Sequence, residues 1–271
     1  MIYMSFFVGL LLICKGGDWF VDAASAIARA FGIPKYIVGA TIVSFATTMP
    51  EILVSVSAAL KGSSTMAIGN AVGSVSANTG IILGVSLFCL PVAIRRSEYL
   101  TKNILYIGCL LLLFVSFRDR VFDAADCILL LMGGSLFLFM NVKNAMTSRS
   151  ERESLPGGRK ALPGRVGFFV LGAACVVVGS ELLIDSACVL ARQFHISEEI
   201  ISVTILAMGT SLPEFVTTIT AILKKESSLS VGNIVGANVI DTAFILPICT
   251  LITGESLAVA PQMAEIDMPV C

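Results

Sequence analysis

Ala46-Thr47-Thr48-Met49-Pro50-Glu51 and Gly209-Thr210-Ser211-Leu212-Pro213-Glu214 are two versions of one motif, 163 positions apart, and each sets an acidic residue inside an apolar segment. The same offset relates Gly69, Asn70, Gly73 and Asn78 to Gly232, Asn233, Gly236 and Asp241, with no insertion or deletion between them. It also extends upstream, where Asp18, Asp22, Arg29, Phe31 and Ile33 correspond to Glu181, Asp185, Arg192, Phe194 and Ile196. A carboxylate in a hydrophobic stretch is costly and is usually functional in a membrane protein. A duplicated one suggests a site built where two repeats meet.

Composition agrees with a membrane setting. The chain is 56% hydrophobic and only 14% charged, with a mean hydropathy of +0.92, whereas soluble domains carry about 25% charged residues. Runs such as Cys109–Phe114 and Ile128–Met132 lack the period-two alternation of a transmembrane barrel, so an all-α polytopic protein is expected. No basic patch of the density that nucleic acid requires is present. The eight cysteines form no C-x-x-C, and neither a disulfide nor a zinc site is expected. Met1 leads straight into an apolar run without a basic n-region or a small-residue cleavage site, so it reads as part of the first span.

Spans are expected at 2–27, 36–60, 65–90, 103–118 and 123–142, then at 164–190, 199–223, 229–253 and from about 267. The first repeat then occupies 1–142 with five membrane helices, and 143–163 is a polar linker containing Ser148–Ser154 and Pro156-Gly157-Gly158. The second repeat occupies 164–271, with three complete helices and the start of a fourth. Five spans per repeat force the second to enter the membrane inverted, a plan shared by many secondary transporters. By this count the second repeat is truncated at its C-terminus, and about 50 further residues, roughly two helices, are expected beyond Cys271. An odd assembly that completes itself by pairing is the other reading.

Orientation follows from the basic residues. With the N-terminus outside, Arg29, Lys35, Arg95, Arg96, Lys102, Lys143, Arg149, Arg152, Arg159, Lys160, Arg165, Lys224 and Lys225 fall inside, against Lys61, Arg118, Arg120 and Arg192 outside. That satisfies the positive-inside rule and makes the 143–163 linker cytoplasmic.

In the first motif Thr47, Thr48 and Glu51 share a helix face. Pro50 cannot bond to the carbonyl of Ala46, so a kink there is expected to free backbone oxygens beside the hydroxyls and the carboxylate. Asn70, Ser74 and Asn78 form a polar stripe on the next helix, with Asn233, Ala237 and Asp241 as counterpart. The pairs Gly69/Gly73 and Gly232/Gly236 permit close helix approach. Four helices meeting at mid-membrane would present Glu51, Glu214 and Asp241 among neutral oxygens, a donor set suited to hard cations.

With these two motifs in both halves, the whole chain resembles the cation/calcium exchangers, in particular the prokaryotic sodium/calcium exchangers, whose repeats carry G-[ST]-S-x-P-E followed by G-N-x-x-G-S-N-x-x-[ND]. The resemblance implies a ten-helix fold of two inverted five-helix repeats that exchanges Na+ for Ca2+ by alternating access. Carried over by motif position, it implies ion ligands at Thr47, Thr48, Glu51, Ser74, Asn78, Thr210, Ser211, Glu214 and Asp241. Its implied partners are Ca2+, Na+ and the lipid bilayer of the cell membrane, with no cofactor and a monomeric state. Ala46, Val75 and Ala237 depart from the pattern, and Ala237 removes a side-chain oxygen, which bears on Na+ more than on Ca2+. Neither Val72 nor Val235 supplies the glutamate usual in the proton-coupled branch.

Blander readings stand beside these. Membrane Ser and Thr often only bond the preceding turn. Asp18, Asp22, Glu181 and Asp185 read as solvated or structural, and His195 as a surface residue. A channel would need a continuous pore and usually symmetric subunits. An intramembrane enzyme lacks H-E-x-x-H, and its one histidine is remote from the motifs.

Overall fold

The computed structural model describes residues 2–89, 96–147, 162–194 and 209–268. Helix α1 (Ile2–Phe31) is followed by α2 (Lys35–Thr47) and α3 (Met49–Leu60), which meet at a bend of 45°. Next come α4 (Ser64–Ser86), α5 (Arg96–Ser116), α6 (Ala124–Thr147), α7 (Leu162–Gln193), α8 (Leu212–Leu223) and α9 (Ser227–Thr253). A two-residue antiparallel ladder pairs β1 (Val121–Phe122) with β2 (Leu257–Ala258). Among the described residues five helices are long and apolar enough to cross a membrane, and the bent α2–α3 pair makes a sixth.

The expected spans correspond to these helices with instructive differences. The stretch 36–60 is a broken helix, bent between α2 and α3, rather than one continuous helix. The expected 103–118 span begins at Arg96, because its polar first turns continue the helix, while its apolar part is limited to Asn103–Ser116. The 199–208 half of one expected span, most of the 143–163 linker, His195 and the last three residues lie outside the described residues.

The duplication is visible element by element. Helices α3 and α8 each have 12 residues, and their bounds differ by the sequence offset. Each ends in the same turn: Lys61 (φ −86°, ψ 7°) matches Lys224 (φ −85°, ψ 5°), and Gly62 (φ 75°) matches Lys225 (φ 60°). The hydrogen bonds agree as well. Gly62 N donates to Ala59 O and Ser63 N to Ala58 O, as Lys225 N does to Ile222 O and Glu226 N to Ala221 O. This is the Schellman pattern, which calls for a left-handed residue after the cap.

The two repeats are inverted. Helices α1 and α7 correspond under the repeat, and they pack antiparallel at their glycines: Gly9 against Gly179 and Gly16 against Gly172, where an added Cβ would lie within 2.9 Å of the opposite carbonyl oxygen. The Phe20 and Phe169 rings stack alongside at 4.6 Å. A helix that meets its own counterpart head to tail is related to it by a two-fold axis across the helix direction, which is what inversion requires.

Helix α9 is the most buried element. Gly232 lies against the Tyr36 carbonyl and Gly236 against Ala40 and Ser44, so α2 crosses α9 at backbone contact. This is the close approach that the small-xxx-small spacing allows. For Gly69 and Gly73 the counterpart of α2 lies outside the described residues. Two apolar clusters flank the centre, one around Tyr36, Ile68, Leu113, Phe137 and Leu246, the other around Phe20, Val21, Phe169 and Leu229.

Candidate ion-binding site

The breaks in the two motifs are the same backbone event. Thr48 (φ −81°, ψ 2°) ends α2, and Ser211 (φ −82°, ψ 7°) holds the equivalent place before α8. The interruption lies at Thr48, ahead of Pro50, rather than at the proline itself. Pro50 and Pro213 stand in the first turn of the following helix, where a missing N–H leaves no ladder bond unmade. Glu51 and Glu214 are in those first turns too, beside the positive end of the helix dipole, which favours a carboxylate.

The second motif contains a matching irregularity. Both α4 and α9 widen into a π-helical turn, at Ala77–Leu83 and at Asp241–Ile245, a distortion frequent at functional sites. Asn78 and Asp241 sit in these turns, and the two equivalent residues touch each other: Asn78 Nδ2 donates to Asp241 Oδ2 at 3.3 Å. The pseudo-two-fold axis therefore passes between them.

Hydrogen bonds cross between the repeats in symmetric pairs. Thr47 Oγ1 donates to Asn233 Oδ1 at 3.2 Å, and Thr210 Oγ1 donates to Asn70 Oδ1 at 3.3 Å. Symmetry then fails at the glutamates. Thr48 Oγ1 donates to Glu214 Oε1 at 3.0 Å, whereas the equivalent Ser211 hydroxyl faces Glu51 without completing a hydrogen bond, and both Glu51 carboxylate oxygens are left without a hydrogen-bond partner. The first-repeat threonine thus serves the second repeat's glutamate instead of Glu51, its neighbour in sequence.

Thr47, Thr48, Glu51, Ser74, Asn78, Ser211, Glu214 and Asp241 are all buried, each at most 2% exposed, and Thr210 is half-buried. Glu214 and Asp241 lie within electrostatic reach of Glu51. Several oxygens here make no hydrogen bond: both of Glu51, Glu214 Oε2, Asp241 Oδ1, Asn78 Oδ1, Ser74 Oγ and Ser211 Oγ. Buried polar atoms are ordinarily partnered, and leaving a buried carboxylate bare is costlier still. Such a concentration of carboxylate, amide and hydroxyl oxygens has the chemistry that hard cations take as ligands. Among the described residues no group of three or more His, Cys, Asp or Glu is arranged to hold a metal ion by itself.

The blander reading holds for other hydroxyls. Thr41, Ser76, Ser180, Thr242 and Thr253 each donate to a carbonyl one turn back. Thr47 does both, reaching Ser44 O and Asn233. Asp18 and Asp22 are structural, paired with Lys224.

Two sets of residues escaped the sequence reading as site members. Asn70 and Asn233 bridge the repeats, and Asn70 Nδ2 also donates to Glu51 O and Ser55 Oγ. Their shared offset was the available signal. Asn238 Nδ2 donates to Thr79 Oγ1 at 2.9 Å and to Tyr106 OH at 3.3 Å. Its counterpart is Val75, so no repeat signal marks it.

Inverted repeats whose broken and widened helices converge on buried carboxylates define a secondary-transport protein rather than an enzyme. The family model described as sodium/calcium exchanger protein matches residues 1–143 and 165–271. The chain belongs to the sodium/calcium exchanger family. It is 37% identical over 261 residues to the inner membrane protein YrbG of Escherichia coli, covering 92% of this chain and 79% of that one. It is 29% identical over 305 residues to the sodium/calcium exchanger MaX1 of Methanosarcina acetivorans, covering 94% and 84%. A solved structure of the sodium-calcium exchanger NCX_Mj, soaked with Na+ and Sr2+, superimposes with a TM-score of 0.86 at 28% identity, covering 99% of this chain and 87% of that one.

Proposed function

We propose that the protein exchanges Na+ for Ca2+ across the cell membrane by alternating access and extrudes Ca2+ from the cytoplasm. The observation that carries this reading is the set of bare buried oxygens on Glu51, Glu214, Asp241, Asn78, Ser74 and Ser211, gathered on an inter-repeat axis. Thr47, Thr48 and Thr210 complete the proposed ligand set. Two glutamates balance one divalent cation, and the hydroxyl and amide oxygens suit Na+ as well. Sharing of donors by two cations makes their binding competitive, and a charged site without either ion resists closure. Both repeats lie in one chain, so a monomer suffices. The N-terminus is placed outside and the 143–163 linker in the cytoplasm, as the basic residues indicate.

A second reading has one specific support. Ala237, fully buried where its counterpart is Ser74, offers no side-chain oxygen, which weakens the case for a full Na+ complement and leaves H+- or K+-dependent exchange as the alternative. Ca2+ uptake into proteoliposomes under an imposed Na+ gradient, then under a proton gradient, distinguishes the two. Na+ coupling predicts uptake in the first case alone, and Ala237→Ser is then expected to lower the Na+ concentration for half-maximal exchange. Glu51→Ala and Glu214→Ala are each expected to abolish Ca2+ flux, and wild-type flux in both would dispose of the site.

A further inference from the structure

Lys224, at the end of α8, holds Asp22 at 2.8 Å and Asp18 at 3.3 Å, both on α1. Under the repeat these three residues correspond to Lys61, Asp185 and Glu181. The second set thus has the same charges, on α3 and α7. Its lysine also has the same backbone conformation, within a few degrees. Yet Lys61, Glu181 and Asp185 are exposed, and none of them takes part in an ion pair among the described residues.

Identical parts in unlike states carry a geometric meaning here. The α1–α7 pair has its own two-fold symmetry, visible in the reciprocal contacts Gly9–Gly179 and Gly16–Gly172. Helices α3 and α4 are related to α8 and α9 by a two-fold axis through Asn78 and Asp241. Were the two bodies centred on one another, both lysines would meet their carboxylates equally. One does and one does not, so the pair is displaced toward the Lys224 side. The opposite displacement, equivalent by symmetry, would bring Glu181 and Asp185 to Lys61 and part Lys224 from Asp18 and Asp22. Because the repeats are inverted, the two lysines lie toward opposite faces of the membrane.

We propose that Lys224 with Asp18 and Asp22, and Lys61 with Glu181 and Asp185, are two mutually exclusive ionic latches that hold the α1–α7 pair at either end of its travel. The first is closed and the second open in the state observed. The proposal rests on the alternating-access reading above and adds to it the residues that set the balance between the two states. A further asymmetry biases that balance. Glu226, two residues after Lys224, binds Lys35 at 2.6 Å and lies 3.7 Å from Arg29, whereas its counterpart is the neutral Ser63. The Lys224 side is therefore doubly fastened.

Hydrogen–deuterium exchange on the full chain in lipid nanodiscs tests the latches without reference to the transported ion. Lys224→Gln is expected to speed amide exchange several-fold over 221–226 and to slow it over 58–63, as the second latch forms. That slowing needs Lys61, so it should vanish in the double variant Lys224→Gln with Lys61→Gln. Exchanging the charges, Lys224→Asp with Asp22→Lys, should restore the wild-type pattern. A change confined to 221–226 overturns the proposal, as does slowing at 58–63 that survives in the double variant. Reciprocal exchange in a protein that moves no Ca2+ would overturn the transport reading and leave the latches standing.

Discussion

Glu51 and Glu214 occupy equivalent positions in equivalent helices, yet one carboxylate is bare and the other is held by Thr48. The hydroxyls across from them are therefore unequal in this state. Thr48→Val removes a hydrogen bond to a carboxylate, worth roughly 1.5–3 kcal/mol, which corresponds to about ten- to a hundredfold in affinity. Ser211→Ala removes a proposed ion ligand that lies across from Glu51 and is expected to lower Ca2+ affinity as well, by a smaller factor. The Ca2+ dependence of uptake in proteoliposomes measures both, and equal losses would show that the two positions are equivalent during turnover. Most residue types proposed for this site were legible in sequence, because the motif positions recur at one offset, Ser74 opposite Ala237 excepted. The cross-repeat pairing was not: helical spacing places Thr48 beside Glu51, and only the bend at Thr48 turns its hydroxyl toward Glu214.

At the scale of elements, the repeat predicts bounds better than local rules do. Pro50 draws attention to a kink at or after Ala46, but the backbone breaks at Thr48 and the proline starts the next helix. The π-helical turns at Asn78 and Asp241 have no local sequence signature, since Ala77–Leu83 reads as ordinary helix. The turns after α3 and α8 give a clean test of what the repeat preserves. Lys225 adopts the left-handed conformation that Gly62 adopts in the first copy, and a side chain there is disfavoured. Lys225→Gly is expected to stabilise the protein by about 0.5–1 kcal/mol, and Gly62→Lys to destabilise it by about 1–2 kcal/mol. Thermal unfolding in detergent reads both. Equal melting temperatures in all three proteins would mean the turn carries no strain.

For the whole molecule, inversion followed from counting spans, and the structure supplies it independently through the antiparallel glycine contacts of α1 and α7. What counting could not supply is which helices pack at backbone distance. Gly232 and Gly236 do so against α2, because a Cβ at Gly232 would run into the Tyr36 carbonyl. Gly232→Val is expected to force α2 away from α9, costing about 1–3 kcal/mol by overpacking and separating Thr47 from Asn233. Loss of Ca2+ flux with a lowered melting temperature is the expected result, and a variant with wild-type flux and stability would show that the two helices can part freely.

The contact between Asn78 and Asp241 has a consequence for the charge at the centre. A residue on a two-fold axis meets only its own copy, so a homodimer of identical repeats would place like against like there. Two asparagines bring no charge, and two aspartates bring a repelling pair. With a glutamate from each repeat, such a dimer could carry two or four formal charges at its centre, never an odd number. In this one chain the axial pair is Asn opposite Asp, and Glu51, Glu214 and Asp241 together make three. An odd formal charge count is thus open to a single chain with two unlike repeats and closed to any symmetric dimer of identical ones.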